Sequence, residues 1–456
     1  MEKTIQDKDS NYLIEKITQN KDSPLYSFHG IPAVGQMIPL GLQHVVAAIV
    51  GVVTPALLVA ATCELTPADR IMLIQVSLIF TALTTLLQLF PIKRVGAGLP
   101  LIMGVSFAYV PTVLAIGGQF GLPAIMGAQI VGGAVAVLFG IFLKRLRILF
   151  PPIVTGTVIL TIGLSLYSTA VRYMAGGDAA RAAGDFGSPK HWGVAVVTLL
   201  IVIICNNFVK GFAKLAGILL GMIVGYAAAL VMGMVNFDLV RQAPWFQIVP
   251  PMYFGVRFVP SACVTMAIMF AVNTVQTIGD VTSTTMCGMD REPTDRELSG
   301  GLMAQGAASM VGALFGGLPT ASYSQNVGII TVNRVVNRLV FTFAAAVMLV
   351  AGFVPKFSSI LTTIPQAVIG GATISVFSMI AMTGIRTIIS GGFTPRTITV
   401  VGLSVALGVG VTSVEGSLGG FPGWVGSVFG STSVVIATIT AIILNLTLPR
   451  EDKGLT

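Results

Sequence analysis

Asn273, Gln276 and Asp280 follow one another at spacings of three and four, which puts them on one face of a helix. The residues around them are apolar, so this polar stripe must face protein or a cavity and not lipid. Gln276 carries an amide that donates and accepts at once, which suits the edge of a heterocycle with adjacent N–H and C=O groups; an interhelical hydrogen bond is its other use. A second amide pair, Gln325 and Asn326, lies on the Gly- and Pro-interrupted stretch from Gly317 to Asn333, with Ser324 beside it. Two amides facing each other grip a planar ligand from both edges. Phe107, next to Ser106 on another broken stretch, either covers the ring of such a ligand or packs as an ordinary apolar side chain.

The remaining polar groups within apolar stretches are few. Asp280 either carries a proton or organises the site through hydrogen bonds. His44 either orients a neighbouring helix or meets the ligand, and Gln305 opens its segment beside the charged loop from Asp290 to Glu297. There is no nucleophile–base pair, no pair of catalytic carboxylates, no phosphate loop and no His/Cys metal cluster, and the four cysteines lack metal-ligand spacing. The chemistry to expect is binding without catalysis, with no cofactor and no metal.

The elements that position these residues are membrane spans. Hydrophobic residues make up 54% of the chain and charged ones only 10%, against about 25% charged in a soluble domain. Segments of roughly 20 apolar residues recur about fourteen times. A span-free stretch near residues 236–260, rich in Pro and aromatic residues, separates seven segments from seven more. The tripeptide Gly-Leu-Pro opens the third segment of each half, at Gly98 and at Gly317. An odd number of spans per half makes the second half enter the membrane from the opposite side, so the halves form inverted repeats. Two short helices then approach the bilayer middle from opposite faces with their N-termini aimed at one spot.

The net charge of +8 does not mark a nucleic-acid binder. With the N-terminus in the cytoplasm, 19 of the 26 Lys and Arg residues fall on the cytoplasmic side, among them Arg94, Lys144, Arg145, Arg291 and Arg296. The positive-inside rule therefore places both ends in the cytoplasm of a multi-pass protein of the cell membrane. The first 36 residues show no signal peptide and read as a cytoplasmic tail.

At these residues the chain resembles the nucleobase-ascorbate transporter family, closest to its xanthine and uric acid branch. The resemblance rests on Gln325-Asn326-Val327-Gly328 with Asn333-Arg334 beyond it, and on Gly41-Leu42-Gln43-His44, Gly104-Val105-Ser106-Phe107, the run from Pro151 to Gly156, and Thr277-Ile278-Gly279-Asp280. Asn333 stands where the family usually has Thr. The resemblance implies an all-α fold of fourteen spans in two inverted repeats of seven. A core domain would take spans 1–4 (37–145) and 8–11 (261–354), a gate domain spans 5–7 (149–235) and 12–14 (362–449), with tails at 1–36 and 450–456. It implies a homodimer through the gates and transport by elevator-type movement of core against gate. Gln325 and Asp280 match xanthine and uric acid carriers, where uracil carriers have Glu and His. Gln276 and Gln305 fall where the family has acids that couple transport to protons, and an amide cannot exchange a proton.

The expected function is a permease for an oxidised purine, with H⁺ or Na⁺ as candidate coupling ion. Substrate contact is expected from Gln276, Gln325, Phe107, Asn326, Ser106 and Ser324, and coupling or organisation of the site from Asp280, His44, Gln305 and Asn273. The alternatives are a uracil or other nucleobase carrier, or an anion exchanger or channel of the same fold.

Overall fold

The computed structural model describes residues 24–146, 151–209, 216–392, 394–414, 416–430 and 432–449. The expected tails at residues 1–23 and 450–456 lie outside the described residues. Residues 24–36, expected to belong to the first tail, are instead partly docked. Leu25 is buried, and Asn337 Nδ2 holds the backbone by donating to the carbonyls of Pro24 at 2.8 Å, Ser27 at 3.0 Å and Gly30 at 2.7 Å.

The first half runs α1 (Val34–Thr62), α2 (Pro67–Leu89), β1 (Met103–Val105), α3 (Val110–Phe120), α4 (Leu122–Ile141), α5 (Pro152–Met174), α6 (Pro189–Phe208) and α7 (Gly217–Val231). The second half runs α8 (Pro260–Ser283), α9 (Asp295–Leu314), β2 (Thr320–Ser322), α10 (Ser324–Asn333), α11 (Arg338–Gly352), α12 (Pro355–Thr362), α13 (Gln366–Ser390), α14 (Pro395–Ser413) and α15 (Ser433–Thr447). Among the described residues, eight helices are long and apolar enough to cross a membrane, or nine if α11 and α12, bent by 81°, count as one. The protein is a helical, multi-pass membrane protein.

Local sequence sets where these helices begin. Pro67, Pro152, Pro189, Pro260 and Pro395 each open a helix, where the missing N–H costs nothing and the fixed φ is already helical. α9 instead begins with a capping box, Thr294 and Glu297 each accepting from the other's backbone N–H. This start lies earlier than the sequence pattern indicated. It moves Gln305 from the mouth of its span to mid-helix, where it is fully buried.

The helices fall into two packed sets. α4 lies against α8 and α9, and α11 against α1 and α2; separately, α5 packs on α13 and α15, and α6 on α7. Lipid tails supply no hydrophobic drive between helices, so close backbone approach carries the packing. At the crossing of α4 and α9 a methyl group on Gly306 would lie 2.4 Å from the Gly133 carbonyl oxygen, so only glycine permits that contact.

Candidate functional site

β1 and β2 pair antiparallel, Met103 opposite Ser322, Gly104 opposite Ala321 and Val105 opposite Thr320. The two broken segments therefore run through the protein in opposite directions. Extended backbone at this depth survives only where every N–H and C=O finds a partner. The Ser106 N–H donates to the Pro319 carbonyl at 3.3 Å and the Tyr323 N–H to that of Ile102 at 3.0 Å. Buried side chains supply the rest. Thr85 Oγ1 accepts from the Met103 N–H at 3.0 Å, and Gln88 Oε1 accepts from the Ala97 N–H at 2.9 Å. Gln129 Nε2 donates to the carbonyls of Ser309 at 2.7 Å and Gly317 at 3.0 Å. The ring of Tyr323 crosses the ribbon, its hydroxyl donating to the Val105 carbonyl at 2.7 Å, and a methyl group on Gly104 would lie 2.6 Å from its Cζ.

Each strand leads into a helix start. After β1, Ser106 Oγ accepts from the Ala108 N–H at 3.2 Å and begins the turn Phe107–Tyr109 that leads into α3. After β2, α10 opens at Ser324. Both starts line one cleft of about 290 Å³. Ser106, Gln276, Ser322, Ser324 and Gln325, with Phe107 among them, form its polar wall, and Ile159, Ile162, Val376, Met379 and Ile380, from α5 and α13, form a mostly apolar one in which Thr383 is the polar member. Ser324 and Gln325 are exposed, Gln276 is half-buried, and Phe107 meets Phe377 edge-on with ring centroids 5.5 Å apart.

Asp280 stands behind the polar wall. It accepts from Ser322 Oγ at 2.5 Å and from Ser324 Oγ at 2.8 Å, so one buried carboxylate holds the junction between β2 and α10. Gln276 Nε2 makes long contacts, 3.4 Å to the Ser322 carbonyl and 3.5 Å to Ser324 Oγ. Its Oε1 accepts from Asn273 Nδ2 at 3.2 Å.

Behind Asn273 lies a buried cluster. Gln305 Nε2 donates to Asn273 Oδ1 at 2.8 Å and to the Tyr109 hydroxyl at 2.9 Å. Tyr109 in turn donates to Asn273 Oδ1 at 3.1 Å, and Thr277 Oγ1 donates to Gln305 Oε1 at 2.6 Å.

His44 and Asn326 are not among the residues that line the cleft. Asn326 Nδ2 lies 3.0 Å from both the carbonyl and Nδ1 of His44. A carbonyl only accepts, which fixes the amide nitrogen there and makes His44 Nδ1 an acceptor, hence the neutral Nε2–H tautomer. The pair ties α10 to α1, and Asn333 adds a second tie by donating to Gln43 Oε1 at 3.2 Å. Of the residues expected to touch substrate, Gln276, Gln325, Phe107, Ser106 and Ser324 reach the cleft, and Asn326 sits behind it. Tyr109, Gln88 and Gln129 were not singled out from sequence. The two glutamines could have been, as uncharged polar residues within apolar helices.

The family profile described as the permease family matches residues 35–416. The chain is 34% identical over 423 residues to the uric acid permease PucJ of Bacillus subtilis, covering 92% of this chain and 94% of that protein. It is 32% identical over 420 residues to the xanthine permease of the same organism, covering 90% and 93%. It is 32% identical over 439 residues to the xanthine permease XanQ of Escherichia coli, covering 93% and 94%. Among solved structures, the transmembrane domain of a cyanobacterium bicarbonate transporter, BicA, matches with a TM-score of 0.59 at 14% identity, covering 89% of this chain and 97% of that one. SLC26A9 matches with a TM-score of 0.60 at 10% identity, covering 97% and 70%.

Proposed function

The chain belongs to the permease family as a member of the nucleobase-ascorbate transporters, which are carriers and not enzymes, and from that premise we propose that it moves an oxidised purine, xanthine or uric acid, across the cell membrane. The observation that carries this reading is the cleft in which Gln276 and Gln325 present amides from different segments beside Phe107. Two amides and a ring match a flat molecule with donors and acceptors alternating around its rim. Its relatives are named for uric acid and xanthine. Uptake of labelled xanthine and urate by cells lacking their own carriers tests the proposal, and uptake of uracil alone would sink it.

The movement we propose is of the elevator type. The cleft has one polar wall, on the set that contains α1–α4 and α8–α11, and one mostly apolar wall on α5 and α13, where the Thr383 hydroxyl donates to its own helix at the Met379 carbonyl. The first set would act as core and the second, with α6, α7, α14 and α15, as gate. A smooth apolar wall lets the polar one slide past without breaking hydrogen bonds of its own. Fourteen crossings in two inverted repeats, both termini in the cytoplasm and a homodimer through the gates complete this reading. The antiparallel pairing of β1 and β2 supports the inversion.

Coupling would not use the acids typical of the family, because Gln276 and Gln305 occupy those positions. We assign any coupling to Asp280, His44 or a cation other than H⁺, and otherwise expect facilitated diffusion or exchange. Purine flux into proteoliposomes under a pH gradient, repeated under a Na⁺ gradient, separates these. The fold likeness to a bicarbonate transporter raises a second reading, an anion exchanger. The amide-lined cleft favours a heterocycle, and anion currents independent of purine would reverse that preference.

A further inference from the structure

We infer that the buried cluster of Tyr109, Asn273 and Gln305 fixes which end of the Gln276 amide faces the cleft, so that Gln276 meets substrate as a donor and selects purines carrying an acceptor at that edge, a carbonyl oxygen or an unprotonated ring nitrogen. The inference rests on the purine-carrier reading and deepens it.

Some groups around Gln276 have no freedom of role. A backbone carbonyl only accepts, so the Ser322 carbonyl requires a donor from Gln276, 3.4 Å away. Ser324 spends its single proton on Asp280 at 2.8 Å, so it too offers lone pairs to Gln276. Turning the amide over would set its oxygen against two acceptors. At the other end, Asn273 presents its NH₂ to Gln276 Oε1 because its own oxygen already receives Gln305 and Tyr109. Gln305 is oriented in turn by Thr277, which donates to its oxygen, leaving its NH₂ for Tyr109 and Asn273. The polarity therefore runs in one direction along Gln276, Asn273 and Gln305, anchored by the Ser322 carbonyl and completed by the hydroxyls of Tyr109 and Thr277.

The two ends of Gln276 differ in how well they are satisfied. Its contacts to Ser322 and Ser324, at 3.4 and 3.5 Å, are long, and it also reaches the Asp280 carboxylate, so a ligand acceptor in the cleft competes with these weakly held groups for the NH₂. A site built to hydrogen-bond a ligand group discriminates strongly against analogues that lack it. Tyr109 and Gln305 are buried at 1% and 0% exposure and do not line the cleft, which makes them positioning residues.

Gln305→Glu tests the relay because it sets the cluster against the Ser322 carbonyl. An ionised carboxylate accepts only, so Thr277, Tyr109 and a turned Asn273 would all donate to it. Asn273 would then show its oxygen to Gln276, whose amide would meet acceptors at both ends and lose its fixed orientation. The measurement is binding of a panel of xanthine analogues, each missing one carbonyl or with one ring nitrogen replaced by C–H. It is read by ligand-induced thermal stabilisation of the purified protein, so that a variant that no longer transports still reports.

In the wild type, loss of one particular acceptor should weaken binding by about tenfold or more. In Gln305→Glu that penalty should disappear, while a merely structural role would weaken all analogues together. Asn273→Leu, which cuts the relay, should flatten the panel to within about threefold, and it decides the matter if Gln305→Glu fails to accumulate. An unchanged rank order in either folded variant overturns the relay and leaves the purine assignment standing. A wild type stabilised by no member of the panel overturns the purine assignment itself.

Discussion

Ser322 Oγ donates to Asp280 Oδ2 across 2.5 Å, and Ser324 Oγ reaches the other oxygen of the same carboxylate at 2.8 Å. The last residue of β2 and the first of α10 are thus fastened to one acid on α8, which sets the angle at which α10 opens onto the cleft. Asp280→Asn replaces one acceptor with a donor of nearly the same shape, so one serine loses its partner. A hydrogen bond to a charged group contributes about 1.5–3 kcal/mol. Purine affinity should fall by about tenfold to a hundredfold, with the protein still in the membrane. Competition binding with an abundance control checks this, and wild-type affinity in the variant would remove Asp280 from the organisation of the site.

Gln325 is exposed in the cleft one residue into α10, so its amide is available to a ligand. Gln325→Glu keeps its length but deletes the donor and places a negative charge at the polar wall. Xanthine and urate uptake should weaken by about tenfold or more, with urate hit harder because it is an anion at neutral pH. Concentration dependence of labelled uptake separates the two, and unchanged affinity for both would place Gln325 outside the contact set.

The parts of this fold that follow from local chemistry were legible in the sequence, and those that depend on who faces whom were not. The Gly-Leu-Pro echo at Gly98 and Gly317 indicated two broken segments, and β1 and β2 follow those tripeptides. The stripe of Asn273, Gln276 and Asp280 is readable because helical spacing alone puts it on one face. For Asn326, sequence shows that an amide adjoins Gln325 but not that neighbours on a helix point about 100° apart, one to the cleft and one to His44. Tyr109 gave no signal, since its partners Asn273 and Gln305 lie more than 160 residues away. Gln305 was displaced in the reading by a helix start that only the capping box of Thr294 and Glu297 determines.

Glu297 closes that box at the charged end of α9. Burial raises its affinity for a proton, but hydrogen bonds from Arg291 and from the backbone and side chain of Thr294 outweigh burial and hold it below the ordinary carboxylate range. A folded-state value below the unfolded one means the contribution is complete above the unfolded value, about 4.3 for Glu, and is lost as pH falls through the folded value. Thermal stability in detergent should be flat in this respect above about pH 5 and decline below it. Glu297→Gln should be less stable at neutral pH and show a shallower acid decline, and an acid limb identical to the wild type would assign the decline to other carboxylates.

Asn326 and His44 make the opposite prediction from the cleft residues, because their contact is structural. Asn326→Leu removes the donor to the His44 carbonyl and Nδ1, both at 3.0 Å, and leaves the buried Nδ1 on α1 without that partner. An unsatisfied buried group costs about 1–3 kcal/mol. The variant should therefore melt earlier in detergent, while its rank order among purine analogues stays that of the wild type. His44→Leu should do the same, and the double variant should cost less than the sum of the two, since the second change removes the ring acceptor that the first had orphaned. A changed rank order with unchanged melting would instead bring Asn326 back into the cleft, in contact with substrate.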